Sequence, residues 1–434
     1  MTQTPADKTI PPSSLFTLVR YLVGGSLLSL ILRLVAGVIQ ARLLLPSTLG
    51  LFNSIGLILQ YAPFLQLGIN CGLYRELPYH LGQGERERAL ELSAAAQAWS
   101  IILALVLSIL FLGISLWYLA HAEFWKAAGW FTNIFLAIAL FYNTNYLQVT
   151  FRTSHDFKRL ALVGIIESIA SLVLLLLVVW LNFYGLCLRA ITVGIIGTGL
   201  LFFWRPIRVS PKWNLPHLKH LLRIGFPIFI VGQMYSWWSA LNLTLVLKLT
   251  GVEGVGLYAM VSMATAAFEF VPSAVNQVLF PRMAEQYGKT GRISEQARIA
   301  VKPMILTAIV MVVLASAAWW LIDPMLRYLA PNYTNATTAM QWGLLQVFTS
   351  SFYPASSLLQ IIGKQAYYGI ALVIAMLFYI ATLFWLTHEA VHLEAFPQAM
   401  LVGRSLYAII CMIMVFYLFR REHAHQGLKN NLYK

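Results

Sequence analysis

Residues 92–119 read LSAAAQAWSIILALVLSILFLGISLWYL, twenty-eight positions without one charged side chain. As a helix rising about 1.5 Å per residue, this stretch extends about 42 Å, more than the roughly 30 Å hydrocarbon core of a bilayer. Similar runs recur along the chain, bounded by charge, Gly or Pro. They predict spans near residues 15–40, 49–70, 92–119, 128–149, 160–182 and 185–204, then 221–247, 254–279, 303–322, 337–362, 366–387 and 397–419. With 59% hydrophobic and 11% charged residues and a mean hydropathy of +0.72, the 434-residue chain has no soluble surface to offer. The expected fold class is an all-α integral membrane protein of twelve transmembrane helices, and its function belongs inside or across a bilayer.

Orientation follows from the Lys and Arg balance. With the N-terminus in the cytoplasm, the inner segments carry 22 of the 30 basic residues and the outer loops four: Arg42, Lys126, Lys248 and Arg327. That asymmetry predicts an even number of spans with both termini cytoplasmic. Anionic lipid headgroups account for the net charge of +14, and no nucleic acid is needed. The segment Met1–Ser14 lacks a basic stretch, short apolar core and cleavage site, so it is expected to stay in the mature protein. Cys71, Cys187 and Cys411 are too scattered for a disulfide framework or metal site and read as packing residues.

Between spans six and seven, Arg205–Pro216 holds three prolines and several basic residues, the most linker-like stretch of the chain. It divides an N-terminal six-helix lobe (1–204) from a C-terminal one (221–420). The segment 205–220 is expected to be a cytoplasmic linker, with a basic, Leu-rich interfacial helix over 212–223, and 421–434 a cytoplasmic tail. The halves read as repeats. A shift of 206 places Arg42 on Lys248, Gly50-Leu51-Phe52 on Gly256-Leu257-Tyr258, Asn70 on Asn276, Gly82 on Gly288 and Arg86 on Arg292 without a gap. Six spans followed by six in the same orientation imply bundles related by a pseudo-two-fold axis along the membrane normal, an architecture suited to transport by rocking.

Six ionisable residues fall within predicted spans: Arg20, Arg33, Glu167, Arg189, Glu269 and Arg404. Each is costly against lipid, so the default is an interior-facing position. Arg20 lies close enough to the inner end to snorkel, and Arg189 to the outer end. Arg33 and Arg404 sit at similar depth in the first and last spans, where forked guanidinium donors suit a phosphate or pyrophosphate. The alternative is a packing role against backbone carbonyls. Glu269, just before Pro272, is a candidate for binding H⁺ or Na⁺, or for an interhelical hydrogen bond; Glu167 is a weaker candidate. No other cofactor is expected. Neutral polar residues also recur within spans, among them Gln66, Asn70, Asn143, Asn145, Gln148, Asn242, Asn276 and Gln346, some as interhelical glue and some lining a path for hydroxyl-rich cargo.

Four short motifs resemble those of the Wzx-like O-antigen and polysaccharide flippases of the MATE-like exporter superfamily. They are Ala41-Arg42-Leu43-Leu44-Leu45-Pro46 running into Leu49-Gly50-Leu51-Phe52; Leu222-Arg223-Ile224-Gly225-Phe226-Pro227, followed by the turn Lys248–Tyr258; Leu329-Ala330-Pro331-Asn332-Tyr333; and Ile362-Gly363-Lys364. The resemblance spans nearly the whole chain. It implies two six-helix lobes that turn a polyprenyl-pyrophosphate-linked oligosaccharide from the cytoplasmic to the outer leaflet by alternating access, with no enzymatic step. The implied location is a bacterial inner membrane serving O-antigen, lipopolysaccharide or exopolysaccharide assembly, with a polysaccharide polymerase and a chain-length regulator as partners beside membrane lipids. Arg33, Arg404, Arg189, Arg42 and Lys248 are the expected headgroup cations, and Glu269, Glu167 and Asn242 the expected coupling or gating positions. Many relatives carry Asp where Asn242 stands. The alternative within the same fold is an ion-coupled drug or metabolite antiporter, which would favour an acidic cavity. A membrane enzyme is the remaining class, and its nearest support, His388, Glu389, His392 and Glu394 in one short loop, reads as a solvated turn. The chain carries no Walker A motif for ATP hydrolysis.

Overall fold

The computed structural model describes the backbone of residues 12–432, and the side chains of residues 24–422 apart from Pro281. The expectations on Met1–Pro11 and on the side chains of Lys8, Arg20, Lys429 and Lys434 fall outside the described residues. Within them helices are the only regular secondary structure, with no strand. A bilayer interior offers backbone groups no water, so each span must close its own hydrogen bonds.

Ten helical stretches among the described residues are long and apolar enough to cross a membrane. One of them, Leu215–Thr290, is two helices joined at Gly251, whose φ of 72° only glycine adopts freely. The stretch 337–361 also has the length of a span but is interrupted by a 3₁₀ turn at Thr349–Phe352. These account for the twelve predicted spans.

Span two departs most from its prediction. Pro46–Gly56 and Ile58–Tyr61 lead into a 3₁₀ turn, Ala62–Gln66, and then Leu67 and Gly68 both adopt left-handed φ before a separate helix, Ile69–Gly82. The fourth span, Phe124–Thr153, changes to i→i+5 bonding over Ala139–Leu147, a rare π-helical stretch of a kind found most often at functional sites. No separate interfacial helix forms over 212–223. Residues 205–214 are non-helical, and the helix that starts at Leu215 runs straight on as span seven. What holds the linker is direct contact: Lys212 N–H donates to the Ala94 carbonyl at 3.2 Å, and Trp213 packs on Trp99.

The chain forms two compact units, residues 1–40 with 61–230, and residues 41–60 with 231–434. In the first, Ile69, Leu73 and Leu77 meet Leu92, Ala95, Tyr146, Phe151, Leu218 and Leu221 in a buried core. Close approach here depends on missing side chains. A Cβ on Gly68 would sit 2.6 Å from the Gly225 carbonyl oxygen, and one on Gly72 would strike the Leu221 carbonyl. In the second unit Trp238, Val246, Tyr258, Met340, Leu344, Tyr379 and Phe396 are buried together. Large apolar side chains point outward from many spans, as lipid requires. Trp180, Trp320 and Trp385, 86%, 79% and 76% exposed, stand near span ends, where indole rings favour the membrane interface.

Candidate functional site

In the first unit, helix Pro12–Leu43 lies along helix Phe157–Val173 by means of small residues, Gly25 against Ala161 and Ser29 beside Gly164. Farther along, the contact turns polar. Arg33 Nε donates to Ser168 Oγ at 3.4 Å, and its Nη2 lies 3.9 Å from Glu167 Oε2. The Arg33 side chain is 62% exposed, whereas Glu167 is largely buried. A Cβ at Gly197 would overlap the Glu167 carboxylate, so the glycine-rich sixth span makes room for that group. Two turns beyond Arg33, Gln40 accepts from Arg189, whose Nε and Nη2 also donate to Ser171 Oγ at 3.1 and 2.6 Å. Arg33, Glu167, Arg189 and Gln40 thus line one polar stripe within this unit.

A second feature of the first unit is a cleft of about 320 Å³ lined by Gln66, Asn70, Tyr74, Arg75, Thr144, Asn145 and Arg152, with Cys71, Val149 and Ile228. Its floor is tied by a buried hydrogen bond, Asn70 Nδ2 donating to Ser100 Oγ at 3.1 Å. Its rim is cationic. Arg75 has no ion-pair partner among the described residues, and Arg152 reaches only Gln148 Oε1, at 3.5 Å. The π-helical stretch supplies Thr144 and Asn145, and the buried Nδ2 of Asn145 has no hydrogen-bond partner among the described residues. Burial pushes the Cys71 thiol up, consistent with an inert wall residue.

In the second unit a buried Arg404 pairs with a partly exposed Glu269. Arg404, 7% exposed, places Nη1 2.5 Å from Glu269 Oε1, with its guanidinium 5.3 Å from the centre of the Tyr235 ring. Tyr353 and Ser350 hydroxyls lie 3.4 and 3.5 Å from the same carboxylate oxygen, and Tyr353 and Tyr235 hydroxyls share a 2.9 Å hydrogen bond. Asn242 belongs to a separate buried chain. Tyr379 donates to its Oδ1 at 2.9 Å, and its Nδ2 donates to the Tyr258 hydroxyl at 2.8 Å. Asn276, the repeat partner of Asn70, accepts from Ser357 at 3.0 Å. Arg42 and Lys248 are exposed near the ends of their helices, without ion-pair partners among the described residues.

The predicted site residues are therefore sorted by unit: Arg33, Glu167 and Arg189 in the first, Arg404, Glu269 and Asn242 in the second. Arg75 and Arg152 belong to the 22 basic residues of the inner segments, and the charge balance gives them no other role. Their signal was present in Gln66, Asn70, Asn145 and Gln148, in-span polar residues that converge beside them. Tyr333, from the motif Leu329–Tyr333, is fully buried as a packing anchor, and burial pushes its hydroxyl up. One cluster among the described residues has metal-ligand chemistry, Glu76, His80 and His220; the loop pair His388 and His392 forms no such set.

A family model described as "Polysaccharide biosynthesis protein" matches residues 39–328. No curated protein matches the chain. Among solved structures, an inward-facing multidrug resistance MATE family transporter of the MOP superfamily aligns with a TM-score of 0.73 at 14% identity, covering 91% of this chain and 96% of the other. An outward-facing structure of such a transporter gives 0.64 at 16% identity, over 98% and 100%. A MOP superfamily transporter from Pyrococcus furiosus, described by the reverse polarity of its binding pocket, gives 0.64 at 13% identity, over 95% and 99%. At these identities the likeness is one of fold.

Proposed function

The chain belongs to the polysaccharide biosynthesis protein family, as a multi-pass membrane protein with the fold of MOP superfamily transporters, and from that premise we propose that it flips a polyprenyl-pyrophosphate-linked oligosaccharide between leaflets. The observation that carries this reading is the cleft in the first unit, where Arg75 and Arg152 flank Gln66, Asn70, Tyr74 and Asn145. Guanidinium forks match pyrophosphate oxygens, and amides and a phenol match sugar hydroxyls. The prenyl tail needs no protein pocket, because lipid already solvates it.

Arg33 and Arg404 each stand beside a carboxylate, so either could meet a phosphate only by exchanging that partner. Arg75 has none to give up, which makes it the first cation to engage. In this reading Arg33 and Arg189 serve later steps along the polar stripe, Arg42 and Lys248 attract the headgroup from their helix ends, and Glu269 is the group whose pairing with Arg404 responds to a proton or Na⁺. The two halves rock in alternating access, and no covalent step occurs. The membrane is a bacterial inner membrane with both termini in the cytoplasm, and the product feeds a polymerase and chain-length regulator of O-antigen or exopolysaccharide assembly. A drug antiporter reading fits less well, since a cationic cleft repels the cations such proteins favour. The Pyrococcus furiosus transporter of this fold is described by a binding pocket of reverse polarity that suggests a different function.

The test is export of lipid-linked glycan in a flippase-deficient strain, with membrane levels followed by immunoblot. Arg75→Ala combined with Arg152→Ala is expected to abolish export at normal membrane abundance. Full export by the double variant would overturn the assignment of the cleft. A wild-type chain that restores no export in any glycan-assembly strain would overturn the flippase reading itself.

A further inference from the structure

Along helix Ile69–Gly82 and the residue before it, positions 68, 72, 76 and 80 follow at i, i+4 spacing and so share one face. Gly68 and Gly72 occupy the first two and admit the helix that starts at Leu215, at Gly225 and Leu221. Glu76 and His80 occupy the next two, and from the same opposing helix His220 meets them. The three ligand atoms lie within 4.8 Å of one another. His220 Nε2 is 2.9 Å from Glu76 Oε2, and His80 Nε2 is 3.5 Å from it. Glu76 and His80 are 6% and 5% exposed.

The proton positions at His80 are constrained. Its Nδ1 lies 2.8 Å from Glu85 Oε2, and a carboxylate only accepts, so Nδ1 carries the hydrogen. In the neutral ring, Nε2 then presents a lone pair towards a second carboxylate, Glu76. That nitrogen is buried and has no hydrogen-bond partner among the described residues. Two acceptors facing each other at 3.5 Å repel unless a proton or a metal ion bridges them. Arg88, whose Nη1 stands 4.0 Å from Glu85 Oε2, offsets the outer carboxylate, while the buried Glu76 carboxylate faces only the two imidazoles.

We propose that Glu76, His80 and His220 bind a divalent transition metal ion, Zn²⁺ being the best match, with Glu85 as the outer carboxylate that orients His80. Two His nitrogens and one carboxylate oxygen form a three-ligand zinc set that leaves a fourth position for water. Tetrahedral ligands at about 2.0–2.1 Å from zinc stand about 3.3 Å apart, close to the spacings seen here. Glu85 on His80 Nδ1 is the carboxylate–histidine–metal arrangement that fixes tautomer and ring orientation. On binding, the His220–Glu76 hydrogen bond gives way as the ring exchanges its proton through solvent from Nε2 to Nδ1, and the freed Nε2 lone pair is donated to the ion. The metal closes the glycine seam beyond Gly72 and clamps helix 69–82 to the start of span seven.

The purified full-length chain in detergent, stripped with a chelator, is titrated with Zn²⁺ against a competing indicator, and with Co²⁺ as a spectroscopic probe. One equivalent per chain is expected, with the visible absorption of four-coordinate Co²⁺. His80→Ala and His220→Ala are expected to lose that equivalent. Glu85→Gln removes no ligand and is expected to retain stoichiometric binding at about 10- to 100-fold lower affinity. Should either alanine variant fail to fold, the Glu85→Gln shift and the Co²⁺ spectrum of the wild type decide the matter. No stoichiometric uptake by the wild type would overturn the proposal and assign the gap to a doubly protonated His80. Uptake indifferent to His80, His220 and Glu85 would overturn it equally.

Discussion

Gly50 and Gly256, separated by 206 positions in sequence, are pressed against each other in the structure. A Cβ on Gly50 would strike the Val252 carbonyl and approach Gly256 N at 2.9 Å, while one on Gly256 would strike the Pro46 carbonyl and approach Gly50 N at 3.0 Å. Since Pro46 and Val252 are also 206 apart, each glycine makes to the other turn the contact it receives from it. Reciprocity of this kind is the mark of an isologous, two-fold contact. The repeat first seen as a spacing in sequence is therefore a physical relationship between two turns within the second unit.

Alanine at either position meets backbone, which cannot swing aside. Gly50→Ala and Gly256→Ala are each expected to destabilise the protein by about 1–3 kcal/mol, the usual cost of overpacking. Gly56→Ala, where a Cβ meets nothing within 4 Å, is the neutral control. Thermal melting of detergent-purified protein reads the difference.

Removing Glu269 leaves the buried Arg404 guanidinium without its carboxylate. Glu269→Gln is expected to cost about 3–5 kcal/mol of stability, and Arg404→Met less, because the Glu269 side chain it leaves is 28% exposed. The double variant Arg404→Met with Glu269→Leu should melt closer to the wild type than either single variant. A double variant as destabilised as the sum of the two singles would show that the pair is not coupled.

Asn242 serves two tyrosine hydroxyls at once, donating to Tyr258 and accepting from Tyr379. Asn242→Leu leaves both without a partner, and about 1–3 kcal/mol per orphaned group is expected in the melting curve. Asn242→Asp keeps both contacts if the Tyr258 hydroxyl turns to donate. It should be markedly milder than the leucine variant.

Gly197 and Glu167 are coupled by space alone. Gly197→Ala is expected to push the flexible Glu167 carboxylate away from Arg33. Combined with Glu167→Ala, it should cost much less than the sum of the two single effects. A double-mutant cycle on melting temperature measures this, and additivity would refute it.

Much of the fold was legible because lipid imposes one rule on every span: long apolar helices with basic loops between them. The irregularities were less so. Gly251 and the Leu67-Gly68 turn are set by local backbone geometry that a hydropathy pattern does not encode. From Leu215 an interfacial helix and the start of a continuous span share the same leucine spacing, so the pattern alone does not separate them. For the site, Arg404 and Glu269 were each singled out, yet their pairing joins residues 135 apart and leaves no mark in sequence. Arg75 and Arg152 were hidden for another reason. Loop arginines satisfy the topology count, so nothing in the sequence demanded a second role for them.

The π-helical stretch Ala139–Leu147 has a further consequence for the fourth span. Each i→i+5 bond wraps one residue more into its turn than α-helical bonding does, so the azimuth of every later side chain is offset. Trp130 packs on Phe111 before the stretch, and Phe151 enters the core beyond it. A single rod thus addresses neighbours in directions that a uniform helix of the same length would not combine, with neither proline nor glycine inside the stretch. Excising one residue there would return the span to α-helical phase and turn Asn145 off the cleft wall.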